Sequence, residues 1–202
     1  MAHRRSRHIS VTEPSRTTMT RTTAIAEQLH YECCVLLELY KKKESFTTDV
    51  LVADGRLVTV PPPSSQLDTT DKLWRLHSAL LQCSSLLEIA IIKEEEELGG
   101  GKTGDYESQR KTVKERLSFL LVSMGELRKA VDGSVSLTPT LEGLKLDGPT
   151  ALFELKLWIY RIFEELDYWT KMVISTLQGL SSVLAKERAR TTRMRSTRNA
   201  RR

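Results

Sequence analysis

The feature that most constrains the fold is a stripe of apolar residues along the last part of the chain. Its members follow one another at steps of three or four residues: Leu152, Leu155, Ile159, Ile162, Leu166, Trp169, Val173, Leu177, Leu180 and Leu184. Such steps place side chains on one face of an α-helix, which has about 3.6 residues per turn. We therefore predict one long helix over residues 150–188, with the stripe from Leu152 to Leu177 in a hydrophobic core.

Three earlier segments show the same period and predict helices over residues 22–43, 69–98 and 106–131. Glycine and proline are few and lie mostly between these segments, for example at residues 61–63 and 99–101, which favours an all-α fold. Residues 1–21 and 189–202 are basic and show no period, so we predict a disordered N-terminal arm and a disordered tail. Residues 22–188 then form one four-helix-bundle domain.

The lengths of the connections restrict the topology. A helix of about 25 residues is roughly 37 Å long, whereas the connection of about 8 residues between the second and third helices reaches at most roughly 28 Å. These two helices must therefore be antiparallel neighbours. The first and last connections can return along a whole helix, as in long-chain up-up-down-down bundles with two crossover loops. A simple up-down bundle with loose loops is also compatible with these lengths.

No group of residues has the spacing of a catalytic, cofactor or metal site, so we predict neither an enzyme nor a cofactor. The glycines at residues 99–101, followed by Lys102 and Thr103, do not make a phosphate-binding loop, because Glu96 stands where its first glycine belongs. The histidines lack HxxxH and ExxH spacing, and the cysteines form no CxxC pair; they are His3, His8, His30, His77, Cys33, Cys34 and Cys83.

The distribution of charge and cysteine bears on location. The formal net charge is +5, and the basic excess lies at the two ends, which leaves an acidic body. No secretory signal and no apolar run of membrane-spanning length is visible, so we expect a cytoplasmic protein with free thiols. The first 24 residues loosely fit a mitochondrial transit peptide, but Pro14 interrupts an amphipathic helix there.

Phe153 lies off the apolar stripe, about 150° from its centre on a helical wheel. It should be exposed in the first turn of the last helix, with Lys156 one turn later on the same flank. An exposed aromatic beside a cation is typical of an interface anchor. The alternative is that the loop of residues 137–146 folds over Phe153 and covers it.

The residues around Phe153 carry a resemblance to a known family. Residues 152–158 (LFELKLW), with Glu164-Glu165-Leu166 and Trp169-Thr170, resemble the last helix of the leukaemia inhibitory factor group of long-chain helical cytokines, in its ciliary neurotrophic factor branch. Residues 52–55 (VADG) resemble a turn in the family's first crossover, and residues 36–43 the end of its first helix. The resemblance covers about residues 24–183 and is strongest in the last helix.

The resemblance implies a neurotrophic cytokine, a growth factor for neuron survival, that is secreted without a signal peptide and acts outside the cell after release from a cytoplasmic store. Its partners would be a receptor of the leukaemia inhibitory factor type, a shared signal-transducing chain and an α receptor. The family's Phe and Lys at the start of the last helix map onto Phe153 and Lys156 as receptor-binding residues. An exposed Trp and a basic residue that the family uses elsewhere fall at Ser64 and Met172, which puts the α receptor in doubt.

The basic ends leave room for two further interpretations. In a cytokine they could hold the chain to acidic proteoglycans, with no nucleic acid as partner. Alternatively, the protein is an intracellular helical adaptor whose basic tails contact nucleic acid or anionic membrane.

Overall fold

The computed structural model describes the backbone of residues 13–46, 55–97, 104–132 and 148–199. Within these ranges, the side chains are described from residue 16 to residue 183. These residues form four helices and no strand: α1 (Glu13–Glu44), α2 (Thr69–Glu97), α3 (Asp105–Asp132) and α4 (Leu152–Asn199). The helices pack on one another as an all-α four-helix bundle, as the sequence predicts. The predicted disorder of residues 1–12 and 200–202, the glycine loop of residues 98–103 and the loop of residues 137–146 lie outside the described residues.

The helix neighbours show an up-up-down-down arrangement. Helix α1 packs against α3 and α4, α2 packs against the same two, and within the described ranges the α1–α2 and α3–α4 pairs are diagonal. At one end of the bundle, Lys43 Nζ at the end of α1 binds Glu94 near the end of α2 and Glu107 at the start of α3. Lys156 at the start of α4 binds Glu44 at the end of α1. Helices α1 and α2 therefore point one way, and α3 and α4 the other.

The core is built from the predicted stripes. All predicted core residues of α4 are buried except Leu152, namely Leu155, Ile159, Ile162, Leu166, Trp169, Val173 and Leu177. The prediction for Leu152 is wrong, since 52% of its surface is exposed. Leu152 is exposed because the apolar stripe of α4 begins beyond the end of α1. Lys156, one turn after Leu152, already pairs with Glu44, which is the last residue of α1.

Helix α1 begins at Glu13 rather than near residue 22, so the predicted N-terminal arm is wrong for residues 13–21. Pro14 does not interrupt the helix, because the first turn has no intrahelical partner for a backbone N–H and proline fits there. Met19 and Thr22 are buried, and the Thr22 hydroxyl lies 2.7 Å from the Ser123 hydroxyl of α3. This part of α1 therefore belongs to the bundle.

Helix α4 continues to Asn199, beyond the predicted end at residue 188, so the predicted disordered tail is wrong for residues 189–199. The added segment is ARTTRMRSTRN. Alanine, arginine and methionine have high helix propensity, and positive charge is favourable near a helix C-terminus. The predicted end of α4 is based on the end of its apolar stripe. A helix can continue beyond its apolar stripe, as α4 does here.

Helix α2 is apolar enough, by length and composition, to qualify as a membrane span, with a mean hydropathy of 1.2 over its most apolar window. The expectation that no apolar run reaches membrane-spanning length is therefore too strict. Half of that window is buried inside the bundle, and Leu73, Leu80 and Leu87 are fully covered. A place in the core accounts for this composition.

The described part of the first crossover, residues 55–68, is held against α2 and α4, whereas residues 47–54, with most of the turn predicted at residues 52–55, lie outside the described residues. Val58 and Val60 are buried, and the backbone N–H of Thr59, between them, donates to Gln82 Oε1 of α2 at 2.9 Å. Gly55 has a φ of 127°, a conformation that favours glycine, and its carbonyl accepts a hydrogen bond from Arg161 of α4. These contacts hold residues 55–60 in place on the surface of the bundle.

Candidate receptor-binding site

The first turn of α4 presents Leu152 and Phe153 to solvent. The helix starts at Leu152, and the Leu155 N–H donates to the Ala151 carbonyl at 2.9 Å. Phe153 is 66% exposed, as predicted from its place off the stripe. The loop that could cover it, residues 137–146, lies outside the described residues. The role of Phe153 in receptor binding stays a prediction. We call Leu152, Phe153 and Lys156 the aromatic site.

Lys156 is engaged within the bundle. Its Nζ lies 2.6 Å from Glu44 Oε2, and the side chains of Lys156 and Glu44 are 28% and 6% exposed. The Lys156 carbonyl also accepts a hydrogen bond from the Tyr40 hydroxyl at 3.1 Å. Lys156 therefore neutralises a carboxylate that is withdrawn from water. It is a partly exposed cation with a structural partner, and not a free one.

A cluster of aromatic rings lies beneath the aromatic site. Tyr40 packs edge-on against Phe46 and Phe163, with ring centroids 6.0 and 5.2 Å apart, and Phe46 packs against Tyr160 at 5.8 Å. Tyr106 of α3 completes the cluster, 5.5 Å from Tyr40. Burial raises the pKa of both Tyr40 and Tyr106, so both hydroxyls stay neutral donors. The rings fix the ends of α1, α3 and α4 relative to one another.

A buried carboxylate is also fully paired at this end of the bundle. Glu94 is buried and accepts hydrogen bonds from Tyr106 at 2.8 Å, from Lys43 at 2.7 Å and from Arg110. The sequence predicts that the acidic run of residues 94–97, which lies at the end of α2 that the helix dipole disfavours for acids, is solvated and frayed; this prediction is wrong for Glu94, which is 3% exposed. Its position four residues after Ala90 extends the apolar stripe of α2, and this spacing was the available signal.

A second exposed apolar surface lies on α3 and was not found from the sequence. Phe119 is 60% exposed, and Val122, three residues later on the same face, is exposed to a similar extent. We call these two residues the α3 patch. Their position off the α3 stripe was the available signal. Isolated apolar residues are common on protein surfaces, but an exposed aromatic with an aliphatic neighbour is typical of contact surfaces.

The two positions at which the sequence departs from the family lie together. Ser64 and Met172 line one groove, with a volume of about 440 Å³, between the end of the first crossover and α4. The rest of its lining includes Pro63, Lys72 and Leu180 and contains no aromatic side chain. The groove thus lacks a large anchor at the place where the resemblance puts an α-receptor contact.

One group of the described residues could hold a metal ion. His30 and Cys34 lie one turn apart on α1 and face Asp167 of α4, with their ligand atoms within 4.8 Å of one another. Sequence reasoning treated each histidine as isolated and predicted no metal site. The HxxxC spacing was visible, but no sequence pattern joins it to Asp167.

Comparison of the sequence with protein-family models and with curated proteins gave no match in either case.

Proposed function

We propose that this chain is a neurotrophic cytokine of the leukaemia inhibitory factor group, which binds cell-surface receptor chains, brings them together and thereby triggers signalling inside the cell. The observation that carries the proposal is Phe153, an exposed aromatic on an ordered helix end, at the position where the resemblance puts the receptor contact. The up-up-down-down bundle supports it, because cytokine bundles use this topology. A cytokine of this kind acts by binding alone and needs no catalytic group.

Assembly of several receptor chains requires several separate surfaces. The structure offers the aromatic site at the start of α4, the α3 patch, and the groove between the first crossover and α4. We assign the aromatic site to a receptor of the leukaemia inhibitory factor type and the α3 patch to the shared signal-transducing chain. The groove is the surface left for an α receptor.

The groove bears on the need for an α receptor. Hot spots of protein interfaces are enriched in Trp, Tyr and Arg, and none of these lines the groove. An α receptor that binds there would contact small, polar and aliphatic side chains. We therefore propose that this chain depends less on an α receptor than a relative with a tryptophan at the position of Ser64.

The proposed route to the receptors is storage in the cytoplasm and release without a signal peptide. The cysteines Cys33, Cys34 and Cys83 are all free, which suits folding in a reducing compartment. A protein with this history should fold and bind its receptors without any oxidation step.

The decisive experiment measures binding of the full chain to the isolated ectodomain of a leukaemia inhibitory factor receptor. Phe153→Ala should weaken binding by about 30-fold or more, because truncation of an aromatic hot spot costs about 2 kcal/mol or more. Phe119→Ala is the matched control, because it removes a similarly exposed aromatic from another helix. Wild-type affinity of Phe153→Ala, with circular dichroism unchanged, would refute the assignment of the aromatic site.

The second candidate function is an intracellular adaptor, favoured by the basic segment that continues α4 to Asn199. Removal of residues 186–202 separates the two functions. An adaptor would lose its binding to nucleic acid or anionic vesicles, and this binding would fall steeply with added salt. A cytokine would keep its receptor affinity and change only modestly in potency, through weaker contact with acidic proteoglycans.

A further inference from the structure

Three different metal-ligating atoms meet on the face between α1 and α4. His30 Nδ1 lies 2.7 Å from Asp167 Oδ1, and Cys34 Sγ lies 3.8 Å from each of these atoms. His30 is half-buried and Cys34 is exposed, so an ion can reach the group from solvent. Nitrogen, sulfur and carboxylate oxygen are the ligand types that Zn²⁺ uses in proteins.

The distances are close to those of a tetrahedral zinc site. With bonds of about 2.0 Å to nitrogen and oxygen and about 2.3 Å to sulfur, tetrahedral angles separate nitrogen from oxygen by about 3.3 Å and sulfur from either by about 3.5 Å. The His30–Asp167 pair would therefore open by about half an ångström, and Cys34 would move slightly inward.

The surroundings set the charge and the denticity of the site. Lys171 Nζ donates to Asp167 Oδ2 at 2.8 Å, so Oδ1 is the oxygen left to bind an ion. Desolvation and the carboxylate of Asp167 raise the pKa of the Cys34 thiol, so without metal the sulfur keeps its proton and is a poor redox centre. Zn²⁺ displaces that proton to solvent, and the thiolate and carboxylate then balance the charge of the ion.

We propose that His30, Cys34 and Asp167 form a Zn²⁺ site that links α1 to α4, with water in the fourth position. Two ligands on consecutive turns of one helix are preorganised relative to each other, and the third comes from the neighbouring helix. Mg²⁺ and Ca²⁺ should not compete, because they require oxygen ligands. The site lies apart from the aromatic site, so it does not depend on the proposed receptor binding.

The experiment uses Co²⁺ as a spectroscopic probe of the reduced, full-length chain. One equivalent of Co²⁺ should give a thiolate-to-cobalt charge-transfer band and the visible bands of a tetrahedral ion, and Zn²⁺ should abolish both. Zn²⁺ at 100 times its Kd should also raise Tm by about 5–10 °C, because ligands that bind only the native state stabilise it.

Two variants test the ligands, and a third is the control. Cys34→Ser should remove the charge-transfer band, and His30→Gln, which keeps the thiol, should weaken binding of both ions by at least tenfold. Cys83→Ala is the matched control, since it removes a buried thiol of α2 that is not part of the group, and it should keep the band and the Zn²⁺ shift in Tm. The proposal is overturned if the wild type shows no charge-transfer band, or if Cys34→Ser retains it.

Discussion

Replacement of Lys156 tests whether its ion pair with Glu44 stabilises the fold at the aromatic site. Lys156→Ala leaves the Glu44 carboxylate, which is 6% exposed, without its partner at 2.6 Å. Breaking a fully buried ion pair by removing one partner costs about 3–5 kcal/mol. Because Lys156 itself is partly exposed, we expect a loss of about 2 kcal/mol in the free energy of unfolding. Helix propensity adds little, since alanine and lysine both favour helices.

The assay is a double-mutant cycle in urea, with Lys156→Ala, Glu44→Gln and the double variant. The double variant should lose about 1–2 kcal/mol less than the sum of the two single changes, because an amide tolerates the missing cation better than a carboxylate does. Lys111→Ala is the control, since its pair with Glu115 is exposed and 3.9 Å long and should contribute less than about 0.5 kcal/mol.

A Lys156→Ala variant as stable as Lys111→Ala would show that the pair with Glu44 contributes nothing, and the reasoning would fail. So would additive single changes, because they would mean that the two side chains do not interact. If the expected coupling is found, a loss of signalling in Lys156→Ala cannot by itself identify a receptor contact. Phe153→Ala is then the informative substitution.

Three other predictions follow from burial. Leu152→Ala should cost less than about 1 kcal/mol of stability, whereas Leu155→Ala should cost about 2–5 kcal/mol, as measured by urea unfolding. Met19→Ala should also cost about 2 kcal/mol or more, and a neutral result would return residues 13–21 to a disordered arm. Burial, and then the charge of Arg128, lower the pKa of His77 from 6.5 to about 4. The unfolded chain therefore binds the extra proton between pH 6.5 and 4, so stability falls as pH falls through this window. The fall should be about 1–2 kcal/mol smaller in His77→Gln than in the wild type, and equal falls would contradict the assignment.

The fold could be predicted because two local properties determine it. Apolar spacing gives the helices and most of their buried faces, and the connection lengths require α2 and α3 to be antiparallel neighbours while allowing the two crossovers. The errors occur at helix ends, where a rule that holds in the interior of a packed helix no longer applies. Leu152 keeps the period of α4 at a height where its neighbour α1 has ended. Pro14 breaks helices in their interior, but here it occupies a first turn, where proline is tolerated.

The sites were predicted less completely, because they depend on pairs that are distant in sequence. The exposure of Phe153 follows from its angle on one helix. The partner of Lys156 lies on α1, the third ligand beside His30 and Cys34 lies on α4, and Glu94 is buried only because three helix ends meet around it. Spacing within one helix cannot predict such contacts, since they depend on how each neighbouring helix is rotated about its axis and shifted along it.

The aromatic cluster beneath the first turn of α4 has a consequence for the kinetics of association. Tyr40, Phe46, Tyr106 and Phe163 already pack against one another in the free chain, so a partner that docks on Phe153 meets a helix end that needs little further ordering. Binding to such a surface should proceed in a single phase, without a slow rearrangement after encounter. Substitutions in the cluster should then slow association by disordering the helix end, whereas truncation of Phe153 should act mainly on the lifetime of the complex.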